Sequence, residues 1–217
     1  MMRLYTGAES GNSWKVRILL EQLEIPYEKV YVDLLTWEHK KKEFIANINP
    51  RGQVPVLEDG DQRFWDSTAC MVYLARKMNR TDWLPLEPEK MAEVMHWIAL
   101  AHCEIHFGLQ YGRRGVMRDR WVIGNASNLP EYQKFGRAAM NTMEGRLSKQ
   151  DWLAAPHITI ADIACFPYVL NSPEAGIPHE EFPGIRKWLD RCLAMPRWAE
   201  PPRAPTRDYP DMPADAG

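Results

Sequence analysis

The sequence predicts an α/β domain at the N-terminus followed by an all-α domain. Up to residue 77, short strand-like runs and amphipathic helical segments follow one another in the order β-α-β-α-β-β-α. Residues 78–88 contain two prolines and have the composition of a linker. Residues 89–198 show helical patterns alone, and we expect the proline-rich residues 199–217 to form an extended or disordered tail.

Short apolar runs separated by turn-forming residues define the elements of the N-terminal domain. The predicted strands are residues 3–6, 29–32, 54–57 and 62–65. A helix with one apolar face is expected over residues 13–23, and Pro26 follows its end. Residues 58–61 predict a hairpin turn between the last two strands. Ser67 is the expected N-cap of a final helix.

Helical patterns continue through the second domain. The predicted helices are residues 91–109, 131–147, 159–170 and 182–193. Thr159 and Asp162 fit the pattern of a capping box that precedes an apolar run. Thr159 would accept the backbone N–H of Asp162, and Asp162 would accept that of Thr159. We therefore predict a structural role for Asp162 and not a catalytic one.

The charge and hydropathy patterns exclude several classes of function. The net charge is −2 and acidic and basic residues are interleaved, which predicts no nucleic-acid or membrane-surface partner. No apolar run approaches the roughly 20 residues that a transmembrane helix needs. The N-terminus also lacks the features of a signal peptide.

Cysteine spacing indicates the redox compartment. The four cysteines form no C-x-x-C pair, and they are Cys70, Cys103, Cys165 and Cys192. Each lies in an apolar, helix-like context, so we expect buried free thiols and a reducing compartment. This predicts a cytoplasmic protein and disfavours dithiol redox chemistry.

The most informative motif is N-P-R-G-Q-V-P-V-L, at residues 49–57. The bond between Val54 and Pro55 can be cis, which would turn the Val54 N–H and C=O outward to pair with an extended peptide. Asp66 and Ser67 stand at the start of the next helix, where free N–H groups and the helix dipole favour a carboxylate. Together these features predict a site for the main chain of a small anionic peptide.

This arrangement resembles the cytosolic glutathione transferases. The resemblance rests on S-G-N-S-W-K-V-R at residues 10–17, N-P-R-G-Q-V-P at residues 49–55, the Asp66-Ser67 pair and the capping box at residues 159–162. Each motif alone is weak, but the four in this order and spacing are highly specific. The resemblance implies a thioredoxin-like domain that binds glutathione, a helical domain that receives a second substrate, and a homodimer.

The resemblance also assigns residues to glutathione. Val54 would pair its backbone with the cysteinyl part, and Pro55 would be the cis proline. Asp66 would take the amino group of the γ-glutamyl end, and Ser67 its carboxylate. Many family members have Glu where this chain has Asp66, which is one methylene shorter.

Three further residues are assigned to the same ligand. Gln53 often contributes to the γ-glutamyl site. The glycine carboxylate would meet His39 or Lys40, because the alignment can slip by one residue in this region.

The first motif is closest to the serine-type classes, theta and zeta, and to bacterial relatives. In those classes the first serine, here Ser10, donates a hydrogen bond to the glutathione sulfur. A thiol with a pKa near 8.5 is only partly ionised at neutral pH, so a hydroxyl donor at a helix N-terminus favours the thiolate. Asn12 could share or replace this role, and Ser13 is an alternative both as donor and as N-cap.

Two departures from related classes narrow the chemistry. The zeta isomerases carry S-S-C-x-W, whereas Gly11 and Asn12 replace the second serine and the cysteine here. Omega and beta members place a cysteine near the sulfur, but the first 60 residues of this chain contain none. Isomerase and thiol–disulfide transfer activities are therefore disfavoured.

Two histidines, His102 and His106, lie one helical turn apart and could be read as metal ligands. A metalloprotease motif requires Glu after the first His, and Cys103 is there instead, so no metal is predicted. The electrophile pocket of the family often lies at the end of this helix. We therefore assign His106, Tyr111 and Arg114 to it.

The predicted function is a glutathione transferase that joins the glutathione thiolate to a small hydrophobic electrophile. Glutathione acts as a co-substrate, without a metal. Two alternatives stay open: a non-catalytic glutathione-binding or interaction module on the same fold, and a dedicated glutathione-dependent lyase, dehalogenase or isomerase.

Overall fold

The chain divides into two units near residue 75. A computed structural model describes residues 1–113 and 126–201. The N-terminal unit comprises Met1–Leu74 together with the described residues from Arg197 onward, and the helical unit comprises Ala75–Pro196. Most of the predicted tail, residues 202–217, lies outside the described residues.

The N-terminal unit is built on a four-stranded mixed sheet. Its strands are β1 (Met2–Thr6), β2 (Tyr27–Tyr31), β3 (Val56–Asp59) and β4 (Gln62–Trp65). They lie in the order β2-β1-β3-β4, with β2 parallel to β1 and the other neighbours antiparallel. The predicted hairpin is present, although β3 starts two residues later than expected. It starts after Pro55, which has no N–H to donate to a ladder.

Three helices accompany this sheet. They are α1 (Gly11–Gln22), α2 (Lys42–Asn47) and α3 (Ser67–Lys77), and a short 3-10 turn (Glu38–Lys40) precedes α2. Leu4, Tyr5 and Thr6 are buried on successive positions of β1, which shows that both faces of the central strand are covered. The apolar face of α1 is buried as its sequence predicts.

The helical unit contains α4 (Pro88–Leu100), α5 (Leu129–Leu147), α6 (Ile160–Leu170) and α7 (Pro183–Leu193). The helix predicted over residues 91–109 continues from α4, but Ala101–Gln110 has the wider π-helical geometry. The residues read as a linker are partly packed, since Arg76 donates to the carbonyls of Leu84 and Pro85 at 2.7 Å each. Within the described ranges, none of the helices is both long and apolar enough to cross a membrane.

A close approach between two glycines fixes the packing of α5 on the π-helical segment. A Cβ built on Gly108 would lie 2.1 Å from the backbone nitrogen of Gly136. Real Cβ atoms do not come that close, so only glycine fits at Gly108 without moving the backbone of α5.

The cysteine prediction is correct for three of the four thiols. Cys70, Cys165 and Cys192 are buried, whereas Cys103 is exposed. Cys103 was expected to be buried because its neighbours are apolar, but the outer face of the π-helical segment carries it to solvent.

The predicted capping box is present and fully buried. Asp162 accepts the backbone N–H of Thr159 on Oδ2 at 3.0 Å. Its Oδ1 accepts the backbone N–H of Leu153 and the indole N–H of Trp188, both at 3.0 Å. Burial raises the pKa of the Asp162 carboxyl, and these hydrogen bonds oppose that rise. Asp162 therefore ties α6 to α7 and to the segment before α6.

We expect Asp162→Ala to lower the free energy of unfolding by about 3 kcal/mol, because three buried donors lose their acceptor. Urea denaturation followed by circular dichroism measures this loss. Asp190→Ala removes an exposed carboxylate from α7 and should change stability by less than about 0.5 kcal/mol. Equal losses in the two variants would contradict the assigned role.

Candidate functional site

Ser10 begins α1 and acts as its N-cap. Its backbone is extended, with φ −79° and ψ 111°, and its Oγ accepts the backbone N–H of Ser13 at 3.1 Å. A hydroxyl has one donor and two lone pairs. The cap uses a lone pair, so the Ser10 O–H can still donate to another group. Capping and donation to a sulfur are therefore compatible in one residue.

The exposure of the first turn separates the three candidate donors. Ser10 and Asn12 are partly exposed, whereas Ser13 is completely buried. This difference in exposure distinguishes Ser13 from the other two candidates, and the identity of the donor stays a prediction. Ser13 is also not the N-cap, because α1 begins two residues before it.

The turn before Pro55 is braced by Asn49, a residue to which the sequence assigned no role. Asn49 is buried and its side-chain N–H donates to the Gln53 carbonyl at 2.8 Å. Its side-chain oxygen accepts the Arg51 N–H at 3.0 Å. Gly52 has φ +54°, and a Cβ there would lie 2.8 Å from the His39 carbonyl oxygen. The turn therefore requires glycine at this position.

Val54 presents an unpaired stretch of backbone. The Val54–Pro55 peptide bond is cis, as the motif predicts. Within residues 1–113 and 126–201, no protein group is hydrogen-bonded to the N–H or C=O of Val54. The side chain is partly exposed. The residue can thus offer one donor and one acceptor to an extended peptide.

Asp66, and not Ser67, caps α3. The helix starts at Ser67, and Asp66 Oδ1 accepts the backbone N–H groups of Thr68 at 2.8 Å and Ala69 at 3.4 Å. Asp66 has φ +77°, a left-handed conformation that aspartate tolerates better than most residues. Ser67 is 2% exposed and occupies the first helical position. A carboxylate and a hydroxyl are therefore fixed together at a helix N-terminus.

Two neighbouring candidates, His39 and Lys40, differ in charge. His39 is 3% exposed and stacks on Trp37 with ring centroids 5.7 Å apart. Burial, together with the nearby Lys40, lowers the pKa of His39 to about 4. The imidazole is consequently neutral at neutral pH and supplies no positive charge to a carboxylate.

Lys40 differs from His39 in that its side chain is only partly buried. Burial lowers the pKa of its ammonium group, and Arg51 lowers it further by repulsion between like charges. The side chain of Lys40 also lies against the glycine of the braced turn, 3.3 Å from a Cβ built there. Arg51, which the sequence did not single out, lies over the ring of Trp65 at 5.7 Å. Two cations thus lie beside the braced turn.

Two of the predicted electrophile-pocket residues are neighbours in the helical unit. The ring centroids of His106 and Tyr111 are 5.1 Å apart, and that of Tyr168 lies 6.1 Å from His106. Arg114 lies outside the described residues. In the described parts of the chain, no three His, Cys, Asp or Glu residues are grouped to hold a metal ion.

A thioredoxin-like sheet with a cis proline, followed by a helical domain, defines the class of glutathione transferase-fold proteins. The family model "Glutathione S-transferase, N-terminal domain" matches residues 9–77, and "Glutathione S-transferase, C-terminal domain" matches residues 124–196. Glutathione S-transferase 1 of Manduca sexta is 31% identical over 202 residues, which cover 90% of this chain and 89% of the relative. The chain belongs to the glutathione S-transferase family.

Solved structures agree with this assignment. The glutathione S-transferase of Pseudomonas fluorescens matches with a TM-score of 0.82 and 30% identity, over 90% of this chain and 96% of that one. The glutathione transferase URE2P6 of Phanerochaete chrysosporium, solved in complex with oxidized glutathione, matches with a TM-score of 0.79 and 27% identity. That match covers 91% of this chain and 92% of the neighbour.

The depressed pKa of His39 predicts a pH dependence of stability. Between an unfolded pKa of about 6.5 and the folded value of about 4, the unfolded state binds a proton that the folded state does not. The free energy of unfolding should therefore fall as the pH is lowered through this range, by about 3 kcal/mol at most. Urea titrations between these pH values should show a shallower slope for His39→Gln. Parallel pH curves for the two proteins would contradict the prediction.

Proposed function

We propose that this protein is a glutathione transferase that joins the thiolate of glutathione to a hydrophobic electrophile. The observation that carries the proposal is the unpaired backbone of Val54 beside the cis proline. An extended tripeptide can form backbone hydrogen bonds with Val54 as a further strand would. Its side chains and termini are then free to contact the neighbouring residues.

Charges on either side of Val54 match the two ends of glutathione. At one end, Asp66 would attract the γ-glutamyl amino group, while Ser67 and the N-terminus of α3 would hold its carboxylate. The exposed side chain of Gln53 would contribute to the same end. At the other end, Lys40 and Arg51 would hold the glycine carboxylate, a role for which the neutral His39 is unsuited.

Ser10 would act on the sulfur between these ends. The thiol loses its proton to solvent, and the Ser10 O–H donates a hydrogen bond to the thiolate, aided by the positive end of α1. The sulfur lone pair then forms a bond to an electrophilic carbon, and a leaving group departs with its bonding pair. Proximity of the bound reactants would supply much of the rate. We propose that His106, Tyr111 and Arg114 contact the electrophile.

Ser10 is partly exposed and its O–H is not used by the helix cap, which supports catalysis over a non-catalytic binding module. A dedicated lyase, dehalogenase or isomerase would use the same thiolate and would differ only in its electrophile. Homodimeric assembly and a cytoplasmic location, both implied for this chain by its family or its cysteines, stay predictions.

Ser10→Ala should lower turnover of a model electrophile about 10- to 100-fold, because one hydrogen bond to a charged atom is lost. The pKa of the bound thiol should rise, as measured from its ultraviolet thiolate absorbance. The dissociation constant of glutathione, measured by calorimetry, should stay nearly unchanged.

A matched control separates this effect from the loss of a helix cap. Thr159→Ala removes a cap hydroxyl from α6 and should cost about 1 kcal/mol of stability, as Ser10→Ala does. It should leave the thiol pKa unaltered. Turnover of Ser10→Ala equal to wild type would transfer the donor role to Asn12. If the wild-type protein shows no heat of binding with glutathione, the proposed function is wrong.

Lys40→Met should raise the dissociation constant of glutathione about three- to tenfold, because one charge that faces the glycine carboxylate is lost. The effect should shrink at high salt. Lys41→Met changes the adjacent, exposed lysine and should leave the constant within a factor of two of wild type. Calorimetry at two salt concentrations checks both variants. The assignment of Lys40 is contradicted if both lysines weaken binding equally.

A further inference from the structure

The segment at residues 197–200, here called the strap, is attached to α1. The indole N–H of Trp14 donates to the Ala199 carbonyl at 2.8 Å. Arg17 donates from Nη2 to the Glu200 carbonyl at 3.1 Å. Arg197 is paired with Glu24, just beyond the end of α1, at 3.0 Å. The strap therefore contacts the helix near both of its ends, and it belongs to the N-terminal unit although it follows the helical unit in sequence.

The contact with Trp14 is buried. Trp14 is 1% exposed and Ala199 is 7% exposed. A buried indole N–H needs an acceptor, and leaving it without one costs free energy. The Ala199 carbonyl provides that acceptor. If the strap moved away, the Trp14 side chain would have to reorient or its N–H would have to meet water.

Trp14 also closes the first turn of α1. Its backbone N–H donates to the Ser10 carbonyl at 3.0 Å, and the N–H of its neighbour Ser13 donates to Ser10 Oγ at 3.1 Å. The backbone and side-chain oxygens of Ser10 are thus held by two consecutive residues. One of those residues is itself held, through its side chain, by the strap.

We propose that the strap is a positioning element, which holds the first turn of α1 so that the Ser10 hydroxyl meets the sulfur of bound glutathione. This inference rests on the proposed function for its catalytic part. Trp14 and Arg17 act through Ser10 and touch no substrate. Their loss should therefore affect the state of the thiol more than the affinity for the tripeptide, which depends on the elements around Val54.

An alternative is that the strap only adds stability. A purely structural role would lower the free energy of unfolding without changing the pKa of a bound thiol. The two roles also predict different behaviour of the protein without a ligand. A positioning role requires that loosening the strap opens the first turn of α1 locally, in conditions where the rest of the sheet stays folded.

The test compares Trp14→Phe, which removes the indole donor, with Arg17→Met, which removes the guanidinium donor from a partly exposed site. Trp83→Phe alters a buried tryptophan of the helical unit and is the matched control. All variants are made in the full chain. Arg17→Met keeps the test decisive if Trp14→Phe does not fold.

Three measurements are made on each protein. Hydrogen exchange of the amides at positions 13 and 14, without glutathione, should accelerate about fivefold or more in both strap variants and not in the control. The pKa of the bound glutathione thiol should rise, so that turnover at neutral pH falls about three- to tenfold. The dissociation constant of S-methylglutathione, which has no ionisable thiol, should stay within a factor of two of wild type.

Two results would overturn the inference. One is unchanged exchange at positions 13 and 14 in both variants, and the other is faster exchange with an unaltered thiol pKa. Failure of the proposed function is visible separately. In that case glutathione does not bind wild-type protein, or it binds with the pKa of the free thiol. In that case the proposed effect of the strap on the thiol is wrong. The exchange data still decide whether the strap holds the first turn of α1.

Discussion

The turn between Asn49 and Pro55 depends on one buried side-chain amide. Asn49 has a carbonyl and an N–H at its tip, and it uses them on the backbone of Gln53 and Arg51. The Asn49 side chain replaces the backbone partners that a strand would give these residues. The segment before β3 can therefore be ordered without being part of the sheet. The result is an ordered segment whose last residue before the proline is not needed by the protein's own hydrogen bonds. The backbone edge that we propose for glutathione is therefore left open because the residues around it are hydrogen-bonded to each other.

Charged side chains lie on both sides of Val54, and the cations Lys40 and Arg51 are close to each other. Asp66 is anchored on helix N–H groups, and Lys40 lies close enough to Arg51 for the two charges to repel each other. A bound anion would relieve this repulsion, as the proposed function requires. His39 differs from these cations, because burial lowers its pKa to about 4 and keeps the ring neutral at neutral pH. Its contribution is to pack against Trp37 and to shape the backbone that meets the turn.

Local sequence predicted those features that depend on few neighbours. The hairpin, the cis bond before Pro55, the capping box at Thr159 and the position of Ser10 near the start of α1 all follow from short motifs, and the structure contains each of them. The capping residue of α3 was predicted one position too late. Ser and Asp have similar cap preferences, and the cap is identified by the N–H groups of Thr68 and Ala69, which donate to Asp66 Oδ1.

Features that depend on tertiary packing were not predictable in the same way. Sequence spacing does not give the depth at which His39 and Lys40 lie, and that depth bears on which of them is proposed to meet the glycine carboxylate. The sequence did not predict a role for Arg51, because a cation within a turn motif is most often exposed to solvent. Its neighbours Trp65 and Lys40 are known only from the structure. The attachment of residues 197–200 to α1 joins positions 185 residues apart in the chain, and no local pattern indicates such a pairing.

The contact between Gly108 and Gly136 has a consequence for how this chain can change over time. Since the two backbones meet with no side chain between them, the spacing of the helices is set by main-chain atoms, which mutation cannot resize. A larger residue at Gly108 would act as a wedge against the backbone of α5, and no smaller side chain elsewhere could compensate for it. A Cβ at Gly136 would instead meet the side chains of Leu109 and Ile177 first, at 2.7 and 2.8 Å. Sequence variation in the helical unit should therefore be tolerated less at Gly108 than at positions away from this contact.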